Sequence, residues 1–373
     1  MQISSISGDT DSRTRQGIEI LPVEPQRLAS AKRSYTTRRV DLGIARKLLL
    51  AGISPKAGDL VLARVVRIGQ HSGLQLPGGR RATLFVGDEI VVTYGNRYAP
   101  DQFEARVPDH LGPCHLVAAG GIAAEARSWH SRMKRPTEIE PVGVLADDAG
   151  QPLNLFGFRL ADDNVSPARH PCVIAVVGTS MNAGKTTAAA HLIRGLVLRG
   201  LRVGAAKVTG TGAIGDVALM ADAGAQCVVD FTDFGFASTY RVASPDVERV
   251  LRQAVVHAGH SADAVVVEIA DGLYQEETAA LLKSATFRRV VTGVVFAAAD
   301  SMGAAAGIEW LEQRGLPVLA VSGALTASPL GIDEASRATR LPVLGPAELA
   351  DPEQIRVLID DLRSRSLLAA AAS

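Results

Sequence analysis

A stretch of small and hydroxyl-bearing residues in the middle of the chain has the composition of a phosphate-binding loop. It reads Gly-Thr-Ser-Met-Asn-Ala-Gly-Lys-Thr-Thr from Gly178 to Thr187. Backbone N–H groups of such a loop can cradle phosphate oxygens, and the N-terminus of a following helix adds partial positive charge. We expect Lys185 to reach the terminal phosphates of a nucleotide and the Thr186 hydroxyl to ligate Mg²⁺. The residues predicted to bind the nucleotide are Thr179, Ser180, Asn182, Ala183, Gly184, Lys185, Thr186 and Thr187.

Two further charged residues end apolar runs that are typical of buried strands. Lys207 closes the run that starts at Leu201, beside a Gly-Thr-rich segment where a lysine has few structural uses, although a surface lysine would also fit. Glu268 follows Val265-Val266-Val267. Ligands of open α/β sheets bind at the carboxyl ends of the strands, so Glu268 is expected in the site rather than in solvent.

The elements that must position these residues follow a strand–helix alternation from Pro171 onward. Alternation with fully apolar strands predicts a mainly parallel sheet covered on both faces, and so an α/β fold. The predicted strands are residues 172–177, 201–208, 264–269, 290–297 and 316–321, with a short sixth at 341–344. The predicted helices include 185–199, 247–257 and 304–314.

The part of the chain that precedes this α/β region has a different sequence pattern. Short apolar runs such as 59–68, 73–76, 82–86 and 88–94 end at Gly, Pro or Asn, which predicts a small β-rich module. We therefore divide the chain into a disordered tail (1–24), a β-rich N-terminal module (25–165), a P-loop NTPase domain (168–366) and a frayed tail (367–373). The segment 25–47 is locally basic and could contact an anionic partner or form a solvated helix face.

The loop spacing resembles one particular branch of P-loop proteins. Five residues separate Gly178 from Gly184, whereas the standard motif has four between its first Gly and Gly-Lys. A Gly-Thr opening with this spacing resembles dethiobiotin synthetase and the MinD-like class. It also resembles a related P-loop family with a small N-terminal domain that includes D-glutamate N-acetyltransferase. The resemblance spans roughly residues 172–345.

This resemblance implies roles for residues outside the loop. Lys207 and Thr211, four residues later, match a lysine and a hydroxyl residue near the transferred phosphate. Asp216 matches a magnesium-binding Asp at a helix start, where an N-cap is the alternative. Glu268 matches the second magnesium-binding or water-orienting acid. The implied catalytic residues are Lys185, Lys207, Thr211 and Glu268, and the implied metal ligands are Thr186, Asp216 and Glu268.

Two departures from dethiobiotin synthetase limit what the resemblance implies. Its adenine-binding Asn has no counterpart, because Ser322-Gly323-Ala324 follows the late strand. ATP is expected, with GTP left open. Its Glu-Gly-Ala-Gly-Gly loop is replaced by residues 268–274, of which Asp271 and Gly272 could shape a substrate loop. The substrate is therefore expected to differ.

Composition narrows the possible partners. The 373 residues include 39 basic and 39 acidic side chains, which argues against a globally basic nucleic-acid-binding protein. The three cysteines are widely spaced, and no long apolar stretch suggests a membrane span. We expect a cytoplasmic protein with a small-molecule substrate. Related proteins are often dimers, which implies a homodimer.

Three functions remain open at this level. The first is an ATP- and Mg²⁺-dependent ligase or synthetase that phosphorylates a carboxylate or carbamate for attack by an amine. The second is a nucleotide-hydrolysing switch or a cofactor-biosynthesis accessory protein. The third is a CoA-dependent N-acyltransferase, in which the loop would hold a CoA phosphate.

Overall fold

The computed structural model describes residues 19–162 and 171–371, and it has two large sheets that differ in strand direction and one small two-stranded sheet. The predicted α/β class is confirmed. The strands are β1 (Glu19–Pro22), β2 (Lys32–Arg33), β3 (Lys47–Ala51), β4 (Leu60–Arg67), β5 (Gly73–Gln75), β6 (Arg81–Thr83), β7 (Glu89–Tyr94), β8 (Arg97–Tyr98), β9 (Phe103–Arg106), β10 (Cys114–Ala118), β11 (Ile122–Trp129), β12 (Thr137–Ala146), β13 (Cys172–Gly178), β14 (Val203–Lys207), β15 (Cys227–Asp230), β16 (Ala264–Glu268), β17 (Gly293–Ala297) and β18 (Val318–Ser322).

The helices lie mostly in the second half of the chain. They are α1 (Pro25–Ser30), α2 (Lys185–Leu198), α3 (Ile214–Asp222), α4 (Ser244–Gly259), α5 (Glu276–Lys283), α6 (Ala285–Val290), α7 (Ser301–Glu312), α8 (Pro329–Thr339), α9 (Pro346–Ala350) and α10 (Pro352–Ala371). Among the described helices, none is both long and apolar enough to cross a bilayer.

The first sheet has ten strands and is largely antiparallel. Its main order is β1-β3-β12-β4-β7-β11-β9-β8, with β10 and β2 paired alongside. Successive side chains of a strand point to opposite faces. Accordingly, Leu60 and Leu62 of β4 join one apolar cluster, while Val61 and Ala63 join another. The sheet is thus covered on both faces, and β8 with β9 forms a hairpin at one end of it.

The second sheet has six strands in the order β15-β14-β16-β13-β17-β18, and its strand pairs are all parallel. Alternate residues of β13 again serve two clusters. Ile174 and Val176 pack with α2, whereas Ala175 and Val177 belong to the cluster that contains α4 and α7. Helices therefore cover both faces, as parallel sheets require.

Five of the six predicted strands of this sheet form. The sixth does not: residues 341–344 contribute one isolated bridge, between Val321 and Val343. Pro342 lacks an N–H and cannot complete a ladder there. The sixth strand is instead β15, a four-residue strand that sequence patterning missed.

The structure also changes the boundaries of the two segments predicted as tails. Residues 19–24 were assigned to a disordered tail, but β1 pairs antiparallel with β3, because the apolar Ile20 and Leu21 can join the sheet edge. The predicted frayed tail, from residue 367, is helical through Ala371 as part of α10. Residues 1–18, 163–170 and 372–373 lie outside the described residues.

The two sheets contact each other through a buried polar cluster. The Tyr35 hydroxyl donates to Asp230 Oδ2 at 2.8 Å. The Arg38 guanidinium lies 3.1 Å from Asp230 Oδ1 and 2.7 Å from Asp233 Oδ1. Asp230 is 1% exposed. Arg38 belongs to the basic segment 25–47. Its anionic partners are thus two aspartates in the second half of the same chain.

Candidate functional site

The loop between β13 and α2 wraps back over its own lysine. Asn182 and Gly184 adopt left-handed backbone conformations, with φ of 64° and 93°. A Cβ on Gly184 would lie 2.9 Å from the Ala324 nitrogen, so the close approach of the next loop requires glycine. Lys185 is 5% exposed, and its Nζ donates to the Ser180 carbonyl at 2.7 Å. The lysine is therefore held inside the loop rather than in solvent.

Lys207 and Glu268 meet at the carboxyl edge of the sheet. They are opposite each other on β14 and β16, and Lys207 Nζ lies 3.5 Å from Glu268 Oε1. Their exposed fractions are 7% and 2%, so the surface-lysine and solvated-glutamate alternatives are both wrong. Thr186 Oγ1 donates to the same Glu268 Oε1 at 3.0 Å. The other oxygen, Oε2, is buried without a hydrogen-bond partner among the described residues.

Asp216 completes this cluster. It lies in the first turn of α3, whose N-cap is Ala213, so the N-cap alternative for Asp216 is wrong. Its carboxylate instead forms an ion pair with the Lys207 ammonium. Thr211 lies on the loop between β14 and α3, where it forms an isolated bridge to Ser238.

These side chains line a cavity of about 440 Å³. Every predicted catalytic and metal-binding residue lines it: Lys185, Thr186, Lys207, Thr211, Asp216 and Glu268. Asn182, Gly184 and Thr187 of the predicted loop residues also line it. Thr179, Ser180 and Ala183 do not. They support the loop, because the Thr179 N–H donates to Ala297 O, Ser180 O accepts from Lys185, and Ala183 O accepts from the Ala324 N–H.

The charged groups in the cavity shift one another's pKa values. Burial lowers the pKa of Lys185, against the raising effect of Glu268. Burial also acts to lower the pKa of Lys207, but Glu268 and Asp216 outweigh it, so the pKa is raised and the ammonium stays charged. Burial raises the pKa of Asp271 to about 6, although both lysines oppose the shift.

Sequence reasoning missed a second group of lining residues. Arg97, Asp101 and Gln102 reach the cavity from the β8–β9 hairpin of the first sheet, and no local pattern marks them. Asp271 was expected only to shape a loop. It lies three residues after the end of β16, with a left-handed φ of 65°, and it faces the cavity. Its position just beyond a strand end was the available signal.

The donor set fits Mg²⁺. The Thr186 hydroxyl and the unpartnered Glu268 Oε2 supply the hard oxygen atoms that this ion prefers, and Asp216 could join them by exchanging its lysine. No cluster of three or more His, Cys, Asp or Glu side chains suited to a metal occurs in the described part of the chain. That is expected for Mg²⁺, which often binds through one or two carboxylates together with phosphates and water.

A second pocket, of about 300 Å³, adjoins the other side of the loop. Gly184, Thr187 and Ala188 form one wall, and residues 322–327 after β18 form another. The lining holds hydroxyl groups and small side chains but no carboxylate.

No protein-family model matches the chain, and no curated protein matches its sequence. Among solved structures, a duf1611 family protein from Anabaena variabilis is similar, with 17% identity, a TM-score of 0.38, and coverage of 54% of this chain and 63% of that one. The signal recognition particle 54 kDa protein from Aeropyrum pernix K1, in complex with GDP, has 20% identity, a TM-score of 0.33, and coverage of 57% and 53%.

The signal recognition particle receptor FtsY from Elizabethkingia anophelis is also similar. It has 20% identity, a TM-score of 0.32, and coverage of 51% of this chain and 62% of that one. This chain thus spans between 53% and 63% of the length of these three structures.

Proposed function

We propose that the chain is a P-loop enzyme that uses ATP and Mg²⁺ to phosphorylate a small carboxylate or carbamate, which an amine then attacks. The observation that carries this proposal is the pair of buried ammonium groups, Lys185 and Lys207, facing one cavity together with the Thr186–Glu268 pair. Cations that converge on one space would stabilise the charge of a phosphoryl group in transfer.

The reaction divides into two steps. A carboxylate oxygen of the substrate bonds to the γ-phosphorus as the bond from that phosphorus to the ADP oxygen breaks. The amine nitrogen then attacks the acyl carbon, phosphate leaves, and the amine proton passes to the departing phosphate. Lys185 would bind the terminal phosphates from inside the loop, and Lys207 would stabilise the charge of the phosphoryl group during its transfer. Bound Mg²⁺ would supply further positive charge, held by Thr186 and Glu268.

The base pocket favours adenine. We place the base in the 300 Å³ pocket beside residues 322–327, because it adjoins the helix end of the loop. Guanine presents an N–H and an amino group that a carboxylate accepts well, and none lines this pocket.

The contact between the phosphate loop and the first sheet favours an enzyme over a switch. A switch needs a surface that a macromolecular partner can reach, and loops that are free to move. Here the β8–β9 hairpin of the first sheet contacts the loop, because Asn182 Nδ2 donates to Asp101 Oδ2 at 2.9 Å. The resulting space suits a small molecule better than a protein. The proposal includes a cytoplasmic location and a homodimer, as the sequence resemblance implies.

The test is ADP release by the full chain with MgATP, alone and with a panel of amino acids and dicarboxylic acids. We expect slow turnover alone and at least about a tenfold rise with one acceptor pair. Lys185→Ala should abolish the rise, and exposed Arg194→Ala on the same helix is the matched control. Slow turnover that no small molecule stimulates would contradict the proposed enzymatic function. Binding of CoA without ATP would support acyl transfer instead.

A further inference from the structure

Arg97 is a buried cation to which the proposed reaction assigns no role. It lies on β8, at the end of the first sheet, and it lines the same cavity as Lys185 and Lys207. It belongs to the β8–β9 hairpin, whose turn carries Asp101 and contacts the phosphate loop at Asn182. Arg97 is 6% exposed.

The partners of this guanidinium are neutral. One terminal nitrogen donates to Gln102 Oε1 at 2.9 Å, and the other lies 3.4 Å from His71 Nε2. Burial and the positive charge of Arg97 lower the pKa of His71 to about 3, so the imidazole is uncharged at neutral pH. Nε of Arg97 is buried without a hydrogen-bond partner among the residues that the structure describes. In the described part of the chain, Arg97 forms no ion pair with a carboxylate.

Other arginines of the first sheet region are satisfied within the fold. Arg33 donates to the carbonyls of Thr37, Arg38 and Val40. Arg38 pairs with Asp230 and Asp233. A purely structural arginine would be expected to find several carbonyl acceptors or a carboxylate, as these two arginines do, because a buried charge without such partners is destabilising. Burial lowers the pKa of Arg97 to about 10, so it remains charged at neutral pH.

Asp101 is the acid nearest to Arg97, and only one of its carboxylate oxygens has a partner in the described part of the chain. Asp101 Oδ2 accepts from Asn182, but its Oδ1 is buried without a partner. Asp101 therefore holds the hairpin against the phosphate loop and does not neutralise Arg97 by direct contact. An oxyanion bound in the cavity would give Arg97 the anionic partner that it lacks in the described part of the chain, and arginine binds carboxylates and phosphates strongly.

We propose that Arg97 is the receptor for an oxyanion that binds in the cavity beside the phosphate loop. The oxyanion is either a carboxylate of the acceptor substrate or the phosphoryl group at the end of the nucleotide, since both present the same pair of oxygen atoms. This inference rests on the proposed function for what binds in the loop. It adds that the first sheet supplies a ligand-binding residue, so substrate recognition requires both sheets.

The test measures oxyanion binding to the full chain by calorimetry and thermal unfolding. The chain is first saturated with MgADP, and then inorganic phosphate or succinate is titrated. Phosphate represents the terminal phosphoryl group and succinate the acceptor carboxylate. We expect saturable binding of at least one of them, and Arg97→Gln should weaken that binding at least about 30-fold. The probe that responds identifies the source.

The control is Arg33→Gln, which removes a partly buried arginine bonded to carbonyl groups. It should lower the melting temperature and leave oxyanion affinity unchanged, whereas Arg97→Gln should leave the melting temperature of the unliganded chain unchanged or higher. Unchanged affinity of Arg97→Gln for both probes, or a loss of stability like that of Arg33→Gln, would overturn the inference. If the wild-type chain does not bind MgADP, the proposed function fails, and the same titrations without nucleotide still test Arg97.

Discussion

Lys207 and Glu268 stand opposite each other on neighbouring parallel strands, with Nζ and Oε1 3.5 Å apart at the carboxyl edge of the sheet. The register of β14 against β16 brings the two charges together, and the apolar residues before each of them bury the pair. Thr186 binds the same glutamate oxygen from the start of α2. The cluster therefore joins two strands and the phosphate loop.

Removing the lysine should separate catalysis from binding. We expect Lys207→Ala to lower turnover at least about 100-fold while ATP affinity falls less than about threefold, because its charge acts on the transferred group. The variant should also lose about 3 kcal/mol of stability, since Glu268 stays buried without its cation. Steady-state kinetics and urea unfolding measure the two effects. Adding Glu268→Gln should restore much of the stability, and equal losses in binding and turnover would make Lys207 a binding residue.

Lys185 should matter for nucleotide and little for folding. Lys185→Ala removes the charge that faces the phosphates, and we expect at least about a tenfold loss of affinity for MgATP. The unliganded chain should change in stability by less than about 1 kcal/mol, because the ammonium makes one hydrogen bond, to Ser180, and its own burial is unfavourable. Fluorescent-nucleotide titration and thermal unfolding provide the measurements. Wild-type affinity in this variant would refute the phosphate-loop assignment.

Asp271 should make stability depend on pH between about 4 and 6. Burial raises the pKa of its carboxyl group to about 6, so the folded chain keeps a proton that the unfolded chain releases near pH 4. This contribution is fully present below pH 4 and is lost as pH rises through 6. Asp271→Asn cannot titrate, and Asn tolerates the left-handed φ of 65°.

The Asp271→Asn variant should therefore be more stable than wild type at pH 7.5, by up to about 3 kcal/mol, and nearly equal to it at pH 4. Urea unfolding across this range measures the difference. Parallel stability profiles for the two proteins would show that the carboxyl group does not titrate in this window.

The contact between the sheets should depend on Arg38. Arg38→Ala leaves Asp230 and Asp233 buried beside each other, and we expect a loss of about 3 kcal/mol in the free energy of unfolding. Arg39 is the matched control, because it is more exposed and lies 3.7 Å from Asp233, so its alanine variant should lose less than about 1 kcal/mol. Equal effects in denaturant unfolding would mean that the buried pair does not hold the sheets together.

Local patterns were enough to find half of the site. The phosphate loop is contiguous and lies between an apolar strand and a helix, so its backbone role follows from short-range geometry. Lys207 and Glu268 could be brought together in advance, because parallel strands end at one edge of their sheet. The short β15 could not be found in this way, since four residues are too few for a periodic signal.

The other half of the site comes from the docking of the two sheets. Asn182 and Asp101 are 81 residues apart and lie in loops next to different sheets, and no spacing along the chain relates them. Their contact exists because Tyr35 and Arg38 bind Asp230, which fixes the first sheet over the phosphate loop. Such contacts depend on the packing of whole surfaces rather than on neighbours along the chain. For that reason Arg97 becomes a site residue only in the folded molecule.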